Sequence, residues 1–158
     1  MEAALEYSVD DELQDEKMSS FNHSELQSRL AFLLMSAYRN KYSILTELDF
    51  EFASGKTRPD LCIMTKRKVD WLADEIIVQE VPLTTIEILS PEQSLNSLTD
   101  RICKEHFPAG VKTVWLGVST VQTVSILLPD RKQMNFAQGI IIDPMTNIQL
   151  KLSEIFEG

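Results

Sequence analysis

Two carboxylates in this chain stand where carboxylates are costly. Asp60 sits at the mouth of a short apolar run, Leu61 to Met64, and Glu87 lies inside a β-rich run, Leu83 to Leu89, flanked by Ile86 and Ile88. A carboxylate buried in an apolar strand needs a cation or a full set of hydrogen bonds to offset its lost hydration. Lys104, further along, completes a set of three that could meet at one point. Two carboxylates and a lysine are the minimal kit for a hard divalent cation and an activated water. Mg²⁺, with Mn²⁺ as a substitute, prefers oxygen ligands and keeps several waters, and the main-chain carbonyl of Ile88 is the candidate third ligand. Lys104 would orient or help deprotonate the attacking water and offset charge developing on a phosphate. The same residues also fit a plainer arrangement, in which Asp60 and Glu87 pair with Arg58 or Lys104 in a buried ion-pair cluster.

The elements that must position these groups follow from the apolar pattern. Leu26, Leu30, Leu33, Leu34 and Tyr38 recur at helical spacing, with Asn22 or Ser24 able to cap the start. Glu25 lies in the first turn of that helix, where it reads either as a helix-start acid or as an additional acid of the site. Leu48, Phe50 and Phe52 alternate with Glu47, Asp49 and Glu51, which predicts a half-buried strand. Leu61 to Met64 makes a second strand, and Val81 to Ser90 a third and central one. Residues 66 to 79 read as a polar connection with part of a further short strand. Leu95, Leu98 and Ile102 mark a second helix carrying Lys104, stopped by Pro108 and Gly110. Val111 to Val118 and Val121 to Leu128 can pair as a hairpin. An Asp143-Pro144 turn and a final SEIF turn follow. The order predicts an α/β fold, a sheet of mixed direction with helices against it.

The 158 residues suit one domain, residues 21–158, behind an acidic N-terminal arm, residues 1–20. The net charge is −9, and residues 1–17, with seven acids and one base, hold −6 of it. The mildly acidic remainder argues against strong non-specific nucleic-acid binding, which is driven by counterion release from phosphates. A local basic groove is compatible with it: Lys56 and Arg58 are candidate substrate-binding residues, and Lys66, Arg67 and Lys68 form a further basic cluster that reads equally as a solvated turn. No apolar run approaches a membrane span. The first residues are acidic where a secretory signal would be basic and then apolar, so a cytoplasmic location is expected. Cys62 and Cys103 fit neither a disulfide framework nor a zinc site and read as small buried side chains. His23 reads as a surface or cap residue, His106 as a structural residue at a helix end, and Trp71 and Trp115 as core or interface aromatics. No phosphate-cradling glycine loop and no nucleophile elbow is present, and no organic cofactor is expected.

RPD at 58–60, EILSP at 87–91, Asp100-x-x-x-Lys104, FPAGVKTVWLGV at 107–118 and NHSELQSRL at 22–30 form an ordered set. With these the chain resembles the PD-(D/E)xK nuclease superfamily, and more closely its bacterial branch of restriction-endonuclease-like proteins of unassigned role, over residues 20 to 156. The resemblance implies a restriction-endonuclease-like core with a mixed sheet flanked by helices. It implies Asp60 and Glu87 as metal ligands, Lys104 in the lysine role, and Glu25 as an extra acid. The activity implied is Mg²⁺-dependent hydrolysis of DNA phosphodiester bonds, by a homodimer. One position departs from the superfamily pattern: Leu89 stands where the lysine is usual, two residues after the second acid. The alternative is therefore a nuclease-fold homodimer that cuts weakly or not at all and serves as a binding or scaffold protein.

Overall fold

The computed structural model describes residues 19–158. Most of the expected acidic arm lies outside the described residues.

The first helix, α1 (Phe21–Tyr38), is capped by Ser20, whose hydroxyl accepts from the His23 N–H, and not by Asn22 or Ser24. Its buried stripe is His23, Leu26, Leu30 and Leu34. The single strand expected around Leu48 is split. Tyr42–Thr46 forms β1, and the chain breaks at Glu47, whose φ of 51° leaves the extended region. A separate small hairpin then forms from β2 (Phe50–Phe52) and β3 (Gly55–Thr57). The next strands, β4 (Leu61–Thr65) and β5 (Thr84–Ile88), fall where the sequence predicts them. The connection between them holds no strand, only a bridge from Val78 to Phe50.

Helix α2 (Leu95–Arg101) continues through a widened turn, Ile102–His106, in which the Phe107 N–H reaches back five residues to the Ile102 carbonyl. A last turn, α3 (Phe107–Ala109), ends at Gly110, which adopts φ 111°. β6 (Thr113–Val118) and β7 (Thr123–Leu127) make the expected hairpin, followed by β8 (Gln133–Phe136). The chain closes with the small pair β9 (Ile140–Ile142) and β10 (Gln149–Lys151) and the helix α4 (Leu152–Phe156).

The main sheet has six strands in the order β1-β4-β5-β6-β7-β8. Only β5 and β6 run parallel; the other neighbours are antiparallel. β5 is central and all five of its residues are buried. Alternation along it sends side chains to opposite faces. Ile86 and Ile88 join the cluster containing Leu26, Leu30 and Leu34 of α1. On the other face, Cys62, Met64 and Leu116 pack with Leu98 and Ile102 of the second helical segment. Thr85 and Glu87 therefore point toward that second helical layer. Gly117 lets α1 come close: a Cβ there would lie 3.2 Å from Leu26 Cδ2.

Exposure corrects one expectation and leaves Trp71 outside the core. Cys103 is exposed, because it lies away from the buried stripe of Leu98, Ile102 and His106, whereas Cys62 is buried as predicted. Trp115 is fully buried, but Trp71 is 90% exposed on the loop before β5. Among the described residues no helix is long and apolar enough to cross a membrane.

Candidate active site

The antiparallel register of β4 and β5 pairs Leu61 with Ile86 and Cys62 with Thr85. The register continued by one step would set Asp60 level with Glu87, and the charge of Asp60 acts on the Glu87 carboxyl. Asp60 stands at the open end of β4. Its Oδ2 accepts from the Ile88 N–H at 2.7 Å and lies 3.2 Å from His23 Nε2. Ile88, whose carbonyl was the candidate third ligand, turns its amide to Asp60. Glu87 is nearly fully buried, and its Oε1 has no hydrogen-bond partner. Burial, then the charge of Asp60, hold its carboxyl well above the usual carboxylate range; Arg101 opposes this and Glu105 adds to it.

Three further residues lie against this pair: two histidines read from sequence as structural, and Arg101. His23 comes from the first turn of α1, buried, with its Nδ1 unpartnered. Asp60 raises its pKa against the lowering effect of burial. Arg101, at the end of α2, places Nη2 3.5 Å from Glu87 Oε2, with its own Nε buried and unpartnered. His106 is fully buried. Its Nδ1 is 2.7 Å from the Thr85 hydroxyl, and its Nε2 is 3.7 Å from Glu87 Oε1. Burial, with Arg101 adding to it, pulls the His106 pKa down to about 4, so the ring is neutral near pH 7. The signal for both histidines was periodicity. His23 lies three residues before Leu26, and His106 lies four after Ile102, so each continues an apolar helical stripe.

Lys104 is not brought to the pair. Two residues past Ile102 it falls on the outer face of the helix, where Nζ pairs with Asp100 Oδ2 at 2.8 Å and the side chain is 73% exposed. Arg101 is the cation that faces Glu87 instead. Glu25 is likewise turned away: it pairs with Arg29, which also donates to carbonyls of Ile155 and Glu157 near the C-terminus. Arg58 forms a two-point pair with Asp49 at 2.8 and 3.0 Å on the surface. Lys56 is exposed and opposite Glu51 in the β2–β3 hairpin. Lys66, Arg67 and Lys68 are all exposed, and Arg67 pairs with Glu75.

Oxygen donors of this kind could hold a hard divalent cation. The charge of Asp60 acts on Glu87, which carries a buried oxygen with no partner. Among the described residues no group of three or more His, Cys, Asp or Glu side chains is gathered for coordination. A cation here would draw on Asp60, Glu87, main chain and water, which is the habit of Mg²⁺ and suits Mn²⁺.

A family model described as "Uma2: Putative restriction endonuclease" matches residues 1–153. The solved structure of "a putative nuclease belonging to DUF820 from Anabaena variabilis" is similar to this chain with a TM-score of 0.73 and 24% identity, over 88% of this chain and 82% of that one. At that identity the likeness bears on the fold, and it agrees with the restriction-endonuclease-like core expected from sequence. A DrdV–DNA complex is more distant, with 13% identity over 67% of this chain and 9% of that one and a TM-score of 0.43, and nothing is built on it. No curated protein matches the chain.

Proposed function

This chain belongs to the Uma2 family, and from that premise we propose that it is a nuclease that hydrolyses DNA phosphodiester bonds with Mg²⁺ or Mn²⁺ held between Asp60 and Glu87. The observation that carries this is the buried Glu87, its Oε1 unpartnered, with the charge of Asp60 acting on it at the end of a central strand. A buried carboxylate oxygen without a donor is costly, and a cation beside it would offset part of that cost, which supports this reading. When bound, the cation would supply Lewis-acid activation of water and of the scissile phosphate.

The chain's own groups divide the remaining work. Asp60 gives Oδ2 to His23 and the Ile88 amide, which fixes the carboxylate and leaves its other oxygen for the cation. The Ile88 carbonyl is the third ligand of this proposal. Arg101, a third exposed, takes the cationic role first expected of Lys104 and would bind a phosphate oxygen from its free edge. Lys56 and Arg58 lie on the β2–β3 hairpin and the loop after it, near Asp60 in sequence, and are proposed to follow the nucleic-acid backbone.

The homodimer belongs to the same proposal. β1 and β8 are the open edges of the sheet, and Trp71 and Leu72 stand 90% and 100% exposed on one loop. A clean monomer by sizing at micromolar concentration would contradict it.

The second reading, a fold that has lost efficient cutting, has specific support: Lys104 pairs on the surface and Leu89 is partly buried against the second core cluster. A plasmid-nicking assay separates the two. The nuclease reading expects Mg²⁺- or Mn²⁺-dependent nicking by the wild type that is lost in Asp60→Asn and Glu87→Gln. A wild type that binds the cation and leaves plasmid intact favours the second reading.

A further inference from the structure

Glu87 Oε1 and His106 Nε2 are both buried and both without a hydrogen-bond partner, and they face one another at 3.7 Å. Two such atoms side by side are unusual, since buried polar groups are nearly always satisfied. The other ring nitrogen of His106 is held at 2.7 Å by Thr85 Oγ1, and Thr85 lies two residues before Glu87 on the same face of β5. The histidine is carried there by the widened turn Ile102–His106. Residues five apart on an α-helix are separated by about 140° around the axis. The five-residue reach of this turn narrows that angle, so Arg101 and His106 address the two oxygens of one carboxylate: Arg101 addresses Oε2 and His106 addresses Oε1.

We propose that Thr85 and His106 form a positioning relay for Glu87, in which the Thr85 hydroxyl donates to His106 Nδ1 and the ring presents Nε2–H to Glu87 Oε1. The relay rests on the reading of Glu87 as a ligand, and His106 acts through Glu87 rather than on a substrate. A single tautomer, protonated on Nε2, follows from Thr85 as donor. The gap of 3.7 Å closes to hydrogen-bond length when the carboxylate is drawn into its working orientation. Groups that orient a metal ligand in this way typically contribute about 10- to 100-fold to metal affinity. Arg101 alone would leave the carboxylate free to rotate away from Asp60.

The test combines ¹⁵N NMR of the histidine rings with Mn²⁺ binding read by electron paramagnetic resonance. In the metal-free wild type the His106 ring is expected as the Nε2–H tautomer; an Nδ1–H ring overturns the relay. Thr85→Val, which keeps the volume of Thr85 and removes its hydroxyl, is expected to mix the tautomers and weaken Mn²⁺ binding about tenfold. His106→Phe is expected to weaken it about 10- to 100-fold, with partial recovery in His106→Gln, whose amide can still donate. The Thr85→Val and wild-type measurements decide the matter if His106→Phe does not fold. Mn²⁺ affinity unchanged in Thr85→Val and in His106→Gln overturns the relay while leaving the metal site intact. Imidazole-nitrogen coupling to Mn²⁺ that persists in His23→Gln overturns it too, because His106 would then be a ligand. No Mn²⁺ binding by the wild type overturns both the relay and the proposed metal site.

Discussion

The amide of Ile88, the residue after Glu87, donates to Asp60 Oδ2 at 2.7 Å, and the charge of Asp60 acts on the Glu87 carboxyl. Like charges near one another repel, and here one of them is buried. The consequence is a pH dependence of the metal-free protein. A carboxyl whose folded pKa is raised makes the folded state bind more protons than the unfolded one, so stability falls as pH rises above its ordinary 4.5 toward the raised value. His23, raised from 6.5 by Asp60, adds the same sign above 6.5. His106, lowered from 6.5 to about 4, has the opposite sign, and stability is lost as pH falls between those values. The metal-free wild type should therefore lose melting temperature above pH 6.5. Glu87→Gln should remove the part of the fall with rising pH that Glu87 contributes, as a melting series from pH 5 to 9 would register. An equal slope in both proteins would place an ordinary carboxylate at 87.

Arg101 and Lys104 divide on one helical turn. Arg101 faces Glu87, and Lys104 pairs with Asp100 in solvent. Lys104→Ala should leave the melting temperature unchanged and cutting within a few-fold of wild type. Arg101→Ala should lower kcat about 100-fold or more if its guanidinium binds the transition-state phosphate, an effect of the size seen when a positioned donor is removed. The reverse pattern in a nicking time course would return the role to Lys104.

Gly117 keeps α1 near the sheet. Gly117→Ala puts a Cβ 3.2 Å from Leu26 Cδ2 and 3.7 Å from Ile88 Cγ1. Leu26 can yield at its flexible end, so the expected cost is about 1 kcal/mol, at the low end for overpacking. Because Leu26 lies one turn from His23, Mn²⁺ affinity should fall along with the denaturant midpoint.

Asp143 is a fully buried acid with a different fate. Oδ2 accepts from Thr113 Oγ1 and Trp115 Nε1 at 2.8 and 2.7 Å, and Oδ1 accepts from the Met145 and Thr146 amides. It ties β6 to the turn between β9 and β10. Asp143→Ala should cost about 3 kcal/mol or more by urea unfolding, since four donors lose their acceptor. Metal ions should not change that cost.

The contrast between Asp143 and Glu87 shows how far the sequence could be read. The strands around Asp60 and Glu87 were legible because short apolar runs bounded by Gly and Pro have few alternatives, and the register continued by one step would then set the acids level with each other. Which cation answers Glu87 was not legible. It depends on the face of a helix whose turn widens at Ile102, and nothing in ICKEH announces that widening. His23 and His106 were hidden for another reason. Each occupies an apolar stripe, where a histidine is ordinarily structural, and only the neighbouring carboxylate in three dimensions gives it a further role. The split of the 42–52 segment turned on a left-handed Glu47, a conformation that glutamate does not advertise.

The most direct test of the central claim is a Mn²⁺ titration of thermal stability on the wild type and on Glu87→Gln. A ligand that binds only the folded state raises stability by mass action, by about 2.7 kcal/mol at a concentration 100-fold above Kd. A cation site between Asp60 and Glu87 predicts a concentration-dependent rise in the wild type and none in Glu87→Gln. A melting temperature that Mn²⁺ leaves unmoved in the wild type, or moves equally in both proteins, would contradict it.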